Sequence, residues 1–469
     1  MSKKNSNQNA SETFKYSNKI HWSYSFGSFF DDFATTALGM WVFKFYETEI
    51  LLNIVYIMLA VVVYGIWNAF NDPIAGYISE IPFKFTKRRG KRFTWFLISA
   101  IPCALVFIFI FTPPIGNEII EFAWLLFFLC LFDTLFSFMI INWQAIYPNK
   151  FRSHEERTKV GAIETILSNV GLVIGMILPW LIITSGPPGT NINSYIIMSA
   201  LVTIVLIISA FFMIPGTREK KEEIEKSFQI DKSAEKNKPY IEIFKFAIKE
   251  KNFMAYLVAY LAQTTVMAIM LASIPYWVQY VLIVDPLVEY LLFVPFLLAG
   301  LCSIPFWIKI SRKHGNRIGY MCGTSFTAIF LMVTLFPFDI IGTFVCMGLI
   351  GLSMGATWSL MYPTFSDIID EIVIKTGTRE EGIYFGFRRF FSRLSIVIQA
   401  LTFGIIHPLT GFNPVSSTQS FPAQWGIKVG MLVIPAIFYI LGFLCMWKIY
   451  DLKPKKVQEI KIQLKELKL

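Results

Sequence analysis

Apolar runs of roughly 20 residues recur along nearly the whole chain, and each is long enough to cross a bilayer as a helix. Nothing else in the sequence constrains the fold as strongly. The runs are continuous rather than alternating, which excludes a transmembrane β-barrel. Composition agrees. The 469 residues are 55% hydrophobic and only 16% charged, against about 25% charged in a typical soluble domain. The chain therefore reads as an all-α integral membrane protein.

Twelve spans are predicted, near 22–46, 52–79, 93–112, 121–147, 158–184, 194–214, 252–282, 287–310, 317–337, 340–365, 382–407 and 425–449. Of the 42 Lys and Arg, only Lys44 and Lys428 fall near the loops on one side; the other 40 lie in the tails, the alternate loops or the adjoining span ends. By the positive-inside rule both termini are expected in the cytoplasm of a multi-pass cell-membrane protein. The net charge of +10 is thus a topology signal, and its spread over many loops argues against a nucleic-acid partner. The polar first 20 residues and the long first span argue against a cleavable signal peptide. All six cysteines fall within apolar runs, so they read as packing residues.

The expected organisation is a tail over 1–21, a six-helix half over 22–214, a charged linker over 215–251, a second six-helix half over 252–449 and a tail over 450–469. The halves echo each other. "KRRGKR" (87–92) follows span 2 and "SRKHGNR" (311–317) follows span 8, each with a glycine among basic residues. Two six-helix halves related by repeat are a transporter architecture with the site at the midplane between them. In the last tail, Val457, Ile460, Leu464 and Leu467 share one face of a lysine-rich helix. That face suits either the anionic inner leaflet or a simple solvated end helix.

Ionisable residues deep in a span are candidate functional residues. They are Asp31 and Asp32 in span 1, Asp72 in span 2, Asp133 in span 4, Glu164 in span 5, and Arg388, Arg389 and Arg393 in span 11. The acids lie in the first half and the bases in the second. In "WNAFNDPIAGYISE" (67–80), Asn68, Asn71 and Asp72 share a helix face at i, i+3, i+4. One carboxylate and two amides there suit Na⁺ or a proton, and Pro73 leaves the carbonyl of Ala69 free to join them. A polar network that merely joins helices is the alternative. Asp32 reads as a hydroxyl-binding carboxylate or as half of an ion pair with span 11. Trp143, Trp358 and Tyr362 are candidates to stack on a sugar ring, although most aromatics in such a chain are packing; Gln144 and Glu164 are candidate substrate contacts. Arg389 and Arg393, at i, i+4, can meet an acidic substrate or pair with Asp72, Asp32 or Glu164. Asp31, Asp133, Arg388, Asp367 and Asp370 are candidate gating or salt-bridge residues. Gly171/Gly175 and Gly351/Gly355 read as close-packing pairs.

"WNAFNDPIAGYISE" followed by "RRGKR" resembles the W-D-A-x-x-D-P-x-x-G signature of the glycoside–pentoside–hexuronide:cation symporters, the melibiose-carrier-like branch of the major facilitator superfamily. "FSDIIDEIVIKTGTREEGIYFG" (365–386) resembles that family's loop between spans 10 and 11, and "LFDTLFSFMIINWQAIYP" (131–148) with "ERT" (156–158) is a third match. The resemblance runs from about residue 20 to 450. It implies the major facilitator fold, Asp72 as a cation-site carboxylate with Asn71 as its neighbouring ligand, Asp32 as the sugar-binding aspartate, and Arg393 in place of the span 11 lysine near the cation. Four positions depart from the family pattern. Asn68 and Ile140 replace cation-site aspartates, Glu164 an arginine of the sugar pocket, and Gln144 a tryptophan. With fewer acidic ligands the reading leans to H⁺ over Na⁺.

The expectation is cation-coupled symport of a sugar or glycoside by alternating access, by a monomer without a cofactor or a fixed metal; a transported Na⁺ at Asp72 remains open. A lipid or lysolipid carrier on the same scaffold is the alternative, favoured if a cavity opens sideways between spans. A non-transporting sensor is a third reading. An enzyme or ATP-driven pump is disfavoured: there is no HExxH or G-x-x-x-x-G-K-[ST], and none of the four His pairs with another in sequence.

Overall fold

The computed structural model describes residues 16–81, 83–84, 86, 89–151, 154–183, 187–219, 247–284, 286–336, 340–377 and 381–466. Residues 1–15 of the first tail, 220–246 of the linker, Leu467, parts of the basic loop after span 2 and residues 378–380 lie outside that set.

The described residues form a bundle of twelve long helices. They are α1 (Asn18–Lys44), α2 (Ile54–Glu80), α3 (Lys91–Ile110), α4 (Glu118–Lys150), α5 (His154–Trp180) and α6 (Ile192–Thr217), then α7 (Lys251–Trp277), α8 (Pro286–His314), α9 (Asn316–Val333), α10 (Ile340–Thr376), α11 (Glu381–Thr410) and α12 (Phe421–Lys448). Ten of the described helices are apolar and long enough to cross a membrane by composition alone. The two that are not, α1 and α9, were counted as spans from sequence. They pack as deeply as the others, α1 against α5 and α6 and α9 against α10 and α12. Their polar residues face protein rather than lipid. One expectation is corrected. The stretch after residue 365, read as a loop, continues α10 as helix through Thr376, because Phe365, Ile368, Ile369, Ile372 and Val373 form a buried stripe.

The internal repeat is visible in the backbone. Gly90 (φ 91°) and Gly315 (φ 90°) start α3 and α9 from the same left-handed conformation. A side chain would be strained there. The first helix of each half also ends in a π-helical turn, Phe45–Glu49 after α1 and Val278–Leu282 after α7. Close behind each turn comes a non-glycine residue with positive φ, Leu51 (62°) and Ile283 (51°). Such turns widen the helix and re-aim its side chains.

The two seams between the halves differ. Along α2–α11 the helices pack closely over their length, whereas α5 and α8 touch only lightly. Glycines make the first seam possible. A Cβ on Gly65 would stand 2.6 Å from Val397 Cγ2, and one on Gly404 2.2 Å from the Met58 sulfur.

A thirteenth helix, α13 (Pro454–Glu466), is docked on the second half. Ile460 and Leu464 are buried there and Val457 packs beside them, so the apolar face belongs to protein rather than to the leaflet. Lys456 bonds Glu371 (3.1 Å) and Asp451 (2.8 Å), and Asn252 Nδ2 donates to both acids. Partial burial pushes the Asp451 carboxyl upward, but hydrogen bonds from Lys456 and Asn252 outweigh it and hold the group below its ordinary value. Asp367, expected at a gate, accepts from Asn316 (2.7 Å) and pairs with Lys461 (3.6 Å). Its partners sit in α9 and α13, so it braces one half. Asp370 is on the same helix and is half-buried.

Candidate functional site

The polar residues of α2 and α4 meet between the helices. Asn68 Nδ2 donates to Asp133 Oδ1 (2.5 Å) and Asn71 Nδ2 to Asp133 Oδ2 (2.9 Å), the Asp133 carbonyl (3.1 Å) and Ser137 Oγ (3.0 Å). Ser137 Oγ in turn donates to Asp72 Oδ1 (2.5 Å). The other Asp72 oxygen faces the Arg393 guanidinium at 3.5 Å, across the α2–α11 seam. Asp133 is thus centred in this cluster, while Ile140, two turns further along the same face of α4, is buried in the apolar core. The sequence reading placed Asp133 at a gate and missed Ser137. The signal was there: residues 133 and 137 are spaced i, i+4 on α4, matching 68, 71 and 72 on α2.

Asp31 and Asp32 complete the acidic side from α1. Asp31 faces Arg389, Arg393 and Asp72. Asp32 Oδ2 accepts from Ser168 Oγ of α5 (2.5 Å). Arg389 reaches across to donate to Gln144 Oε1 of α4. Glu164, on α5, is half-buried and faces the rings of Tyr24 and Tyr147. In this network four carboxyl groups (Asp31, Asp32, Asp72, Asp133) meet two guanidiniums, so full ionisation would leave an excess of negative charge that burial penalises.

Two expectations fail on packing. Trp143 is 3% exposed and cannot stack on a substrate. Its ring lies on Tyr24, its Nε1 donates to the Tyr24 carbonyl (2.9 Å), and it fills the space above Gly27, where a Cβ would come within 2.0 Å. Arg388 is no gate between the halves. Its guanidinium is sandwiched 4.2 Å from both Tyr260 and Tyr362, within the second half, a favourable cation–π position. Tyr362 is otherwise exposed, and Trp358 lines a cavity.

Two cavities flank α7. One, of about 180 Å³, is lined by Tyr64, Asn68, Asp133, Arg393 and Gln399 together with apolar residues. The other, of about 290 Å³, lies between α1 and α5 on one side and α7, α8 and α10 on the other. Its wall is Leu172, Met176, Met267, Leu271, Phe296 and Trp358 among others, with Thr36 and Asn169 as its polar members. It sits directly behind the lightly packed α5–α8 seam. At the end away from the basic loops the halves close: Phe43 packs on Phe403, and Lys44 Nζ reaches the Pro275 carbonyl (3.4 Å).

Two helical halves, a charged cluster between them and a cavity at mid-depth define a secondary transporter, and a multi-pass membrane protein rather than an enzyme. The chain belongs to the family described as MFS/sugar transport protein, which matches residues 23–453, the melibiose-carrier-like branch of the major facilitator superfamily. Its relatives divide by substrate. It is 23% identical over 439 residues to sodium-dependent lysophosphatidylcholine symporter 1 of Mus musculus, covering 86% of this chain and 79% of that one. It is 21% identical over 466 residues to the isoprimeverose transporter of Lactiplantibacillus pentosus, covering 95% and 92%. The fold is similar to that of the D-xylose–proton symporter, with a TM-score of 0.64, 13% identity, and 93% and 98% of the two chains covered.

Proposed function

We propose that this protein is a cation-coupled symporter of an amphiphile that carries an aliphatic chain, working by alternating access with the basic end in the cytoplasm. The apolar cavity behind the α5–α8 seam carries this reading. Its wall of Leu, Met, Phe and Trp side chains offers a sugar few hydrogen-bond partners, and its volume of about 290 Å³ stands near the lower end of ordinary small-molecule sites, about 300–1,000 Å³. A thin seam between two spans gives such a cargo a lateral route from the bilayer. The polar head would rest toward Asp32, Gln144 and Arg389. The lysophosphatidylcholine symporters among the relatives support the same class.

Coupling follows from the charge excess. In the resting site Arg393 serves as the counter-charge of Asp72. A cation taken up at Asp72 and Asp133 releases Arg393, which lets α11 move relative to α2. Asn68 and Asn71 turn N–H donors rather than oxygens toward Asp133, so they offer Na⁺ no ligand there, and we favour H⁺ on that ground.

A sugar or glycoside is the second reading. The Ser168–Asp32 pair (2.5 Å) is the kind of hydroxyl–carboxylate contact a sugar hydroxyl would replace, and the isoprimeverose relative agrees. Uptake into proteoliposomes decides between them. A panel of lysophospholipids and small glycosides is offered under separate H⁺ and Na⁺ gradients, with Asp72→Asn beside the wild type. Gradient-driven uptake of lysophospholipid alone, lost in Asp72→Asn, is the expected result. Uptake of glycosides alone overturns the amphiphile.

A further inference from the structure

The contact that closes the end away from the basic loops is itself ionisable. Glu47 lies in the π-helical turn after α1. Its Oε1 is 2.8 Å from His407 Nδ1 of α11, and its Oε2 accepts from the Tyr276 hydroxyl of α7 (2.6 Å). Both side chains are 3% exposed. One carboxylate of the first half thus bridges two helices of the second. His407 is enclosed by Phe403, Phe412 and Tyr276, so water has little access to the pair.

Among the described residues, other ionisable groups at this end come from several helices. Lys44 ends α1, and Glu49 closes the π-helical turn after it, bonded to the Asn191 amide (3.0 Å). On α4, Glu121 faces Tyr46. In the π-helical turn after α7, Tyr280 faces Glu47 and Glu49. On α12, Lys428 lies over Trp425. Glu47 and His407 face each other directly, and with no proton between them the pair carries one negative charge. A single proton shared by the two makes the closed pair neutral. Without it, a buried net charge remains, and burial of unpaired charge is costly.

We propose that Glu47, His407 and Tyr276 form a proton-binding gate, a site separate from Asp72 and Asp133, which holds the halves shut at this end while it carries one proton and releases them when that proton leaves. The sign follows from linkage. The closed form binds one more proton than the open form, so raising the pH on this side opens the gate. The closed-to-open ratio then falls by up to about tenfold per pH unit.

The test is a distance measurement. Ile115 and Val415 are exposed, one in each half, in the α3–α4 and α11–α12 loops at this end. Spin labels at I115C and V415C, in a chain whose native cysteines are replaced, report the separation in nanodiscs from pH 5 to 9. In the otherwise wild-type chain the short-distance population is expected to shrink with rising pH. Glu47→Gln, neutral without a proton, keeps the short distance at all pH, and Asp72→Asn leaves the titration intact. Distances that do not change with pH overturn the proposal. So does a titration that survives Glu47→Gln, or one that Asp72→Asn removes. If the labelled chain does not fold, hydrogen exchange of Val278–Leu282 in the native-cysteine chain, corrected for intrinsic rates, must rise with pH in the wild type and stay flat in Glu47→Gln; the opposite pattern overturns the gate.

Discussion

Two charged clusters join the halves, and they differ in their access to water. Both follow one rule: the first half supplies acids and the second half supplies bases. Asp72 and Arg393 are 13% and 25% exposed, and Arg393 lines a cavity together with Asp133. Around Glu47 and His407 both are 3% exposed, among aromatic rings. The same chemistry therefore does two jobs. A carboxylate beside a cavity can exchange its counter-charge with an arriving ion. A carboxylate sealed among rings can only hold or release a partner, which makes it a latch.

The sharpest way to break this contrast is to neutralise the wet cluster. Asp72→Asn is expected to lower gradient-driven uptake by about 100-fold, the upper range of a coupling free energy between sites, as measured in proteoliposomes. Uptake that persists would reduce Asp72 to a structural role and erase the distinction. Next in size, Arg393→Gln leaves Asp72 facing Asp133 and Asp31 without its counter-charge. It should destabilise the protein by up to about 3–5 kcal/mol, more than Asp72→Asn, with the double variant recovering part of the loss; thermal unfolding in detergent reads this. Leu172→Trp fills the apolar cavity and leaves both clusters untouched. It is expected to cut uptake of long-chain cargo by about tenfold, within the range for steric change in an apolar pocket, while sparing a short glycoside. The smallest effect lies outside the membrane. Asp451 has a lowered carboxyl pKa, so the stability it lends α13 is present above the unfolded value of about 4 and lost as pH falls through its folded value. Proteolysis of α13 should rise only below about pH 4.

Much of this was legible in the chain. The twelve helices follow the apolar runs, because length and hydropathy decide spanning segments almost alone. The face shared by Asn68, Asn71 and Asp72 follows from helical spacing. What one helix turns toward another is a different matter. Asp133 could be seen to lie in a span, but its approach to Asn68 depends on the rotation of α4, which spacing does not give. Trp143 was misjudged because its burial is set by Gly27 on another helix. Arg388 was misjudged for the same reason, since Tyr260 and Tyr362 come from two other spans. Glu47 and His407 are 360 residues apart and each sits at a span end, where isolated charges are ordinary. Their pairing exists only in the assembled bundle.

The unequal seams have a mechanical consequence. Two plates joined firmly along one edge and loosely along the other move like the covers of a book, about a spine. Here α2 and α11 are the spine, brought together by Gly65 and Gly404, and α5 and α8 are the fore-edge. The widest excursion then falls at the fore-edge, beside the apolar cavity, while Asp72 and Arg393 sit near the spine where displacement is least. On the lateral route proposed above, a small shift at the ion pair would be levered into a large one beside the apolar cavity.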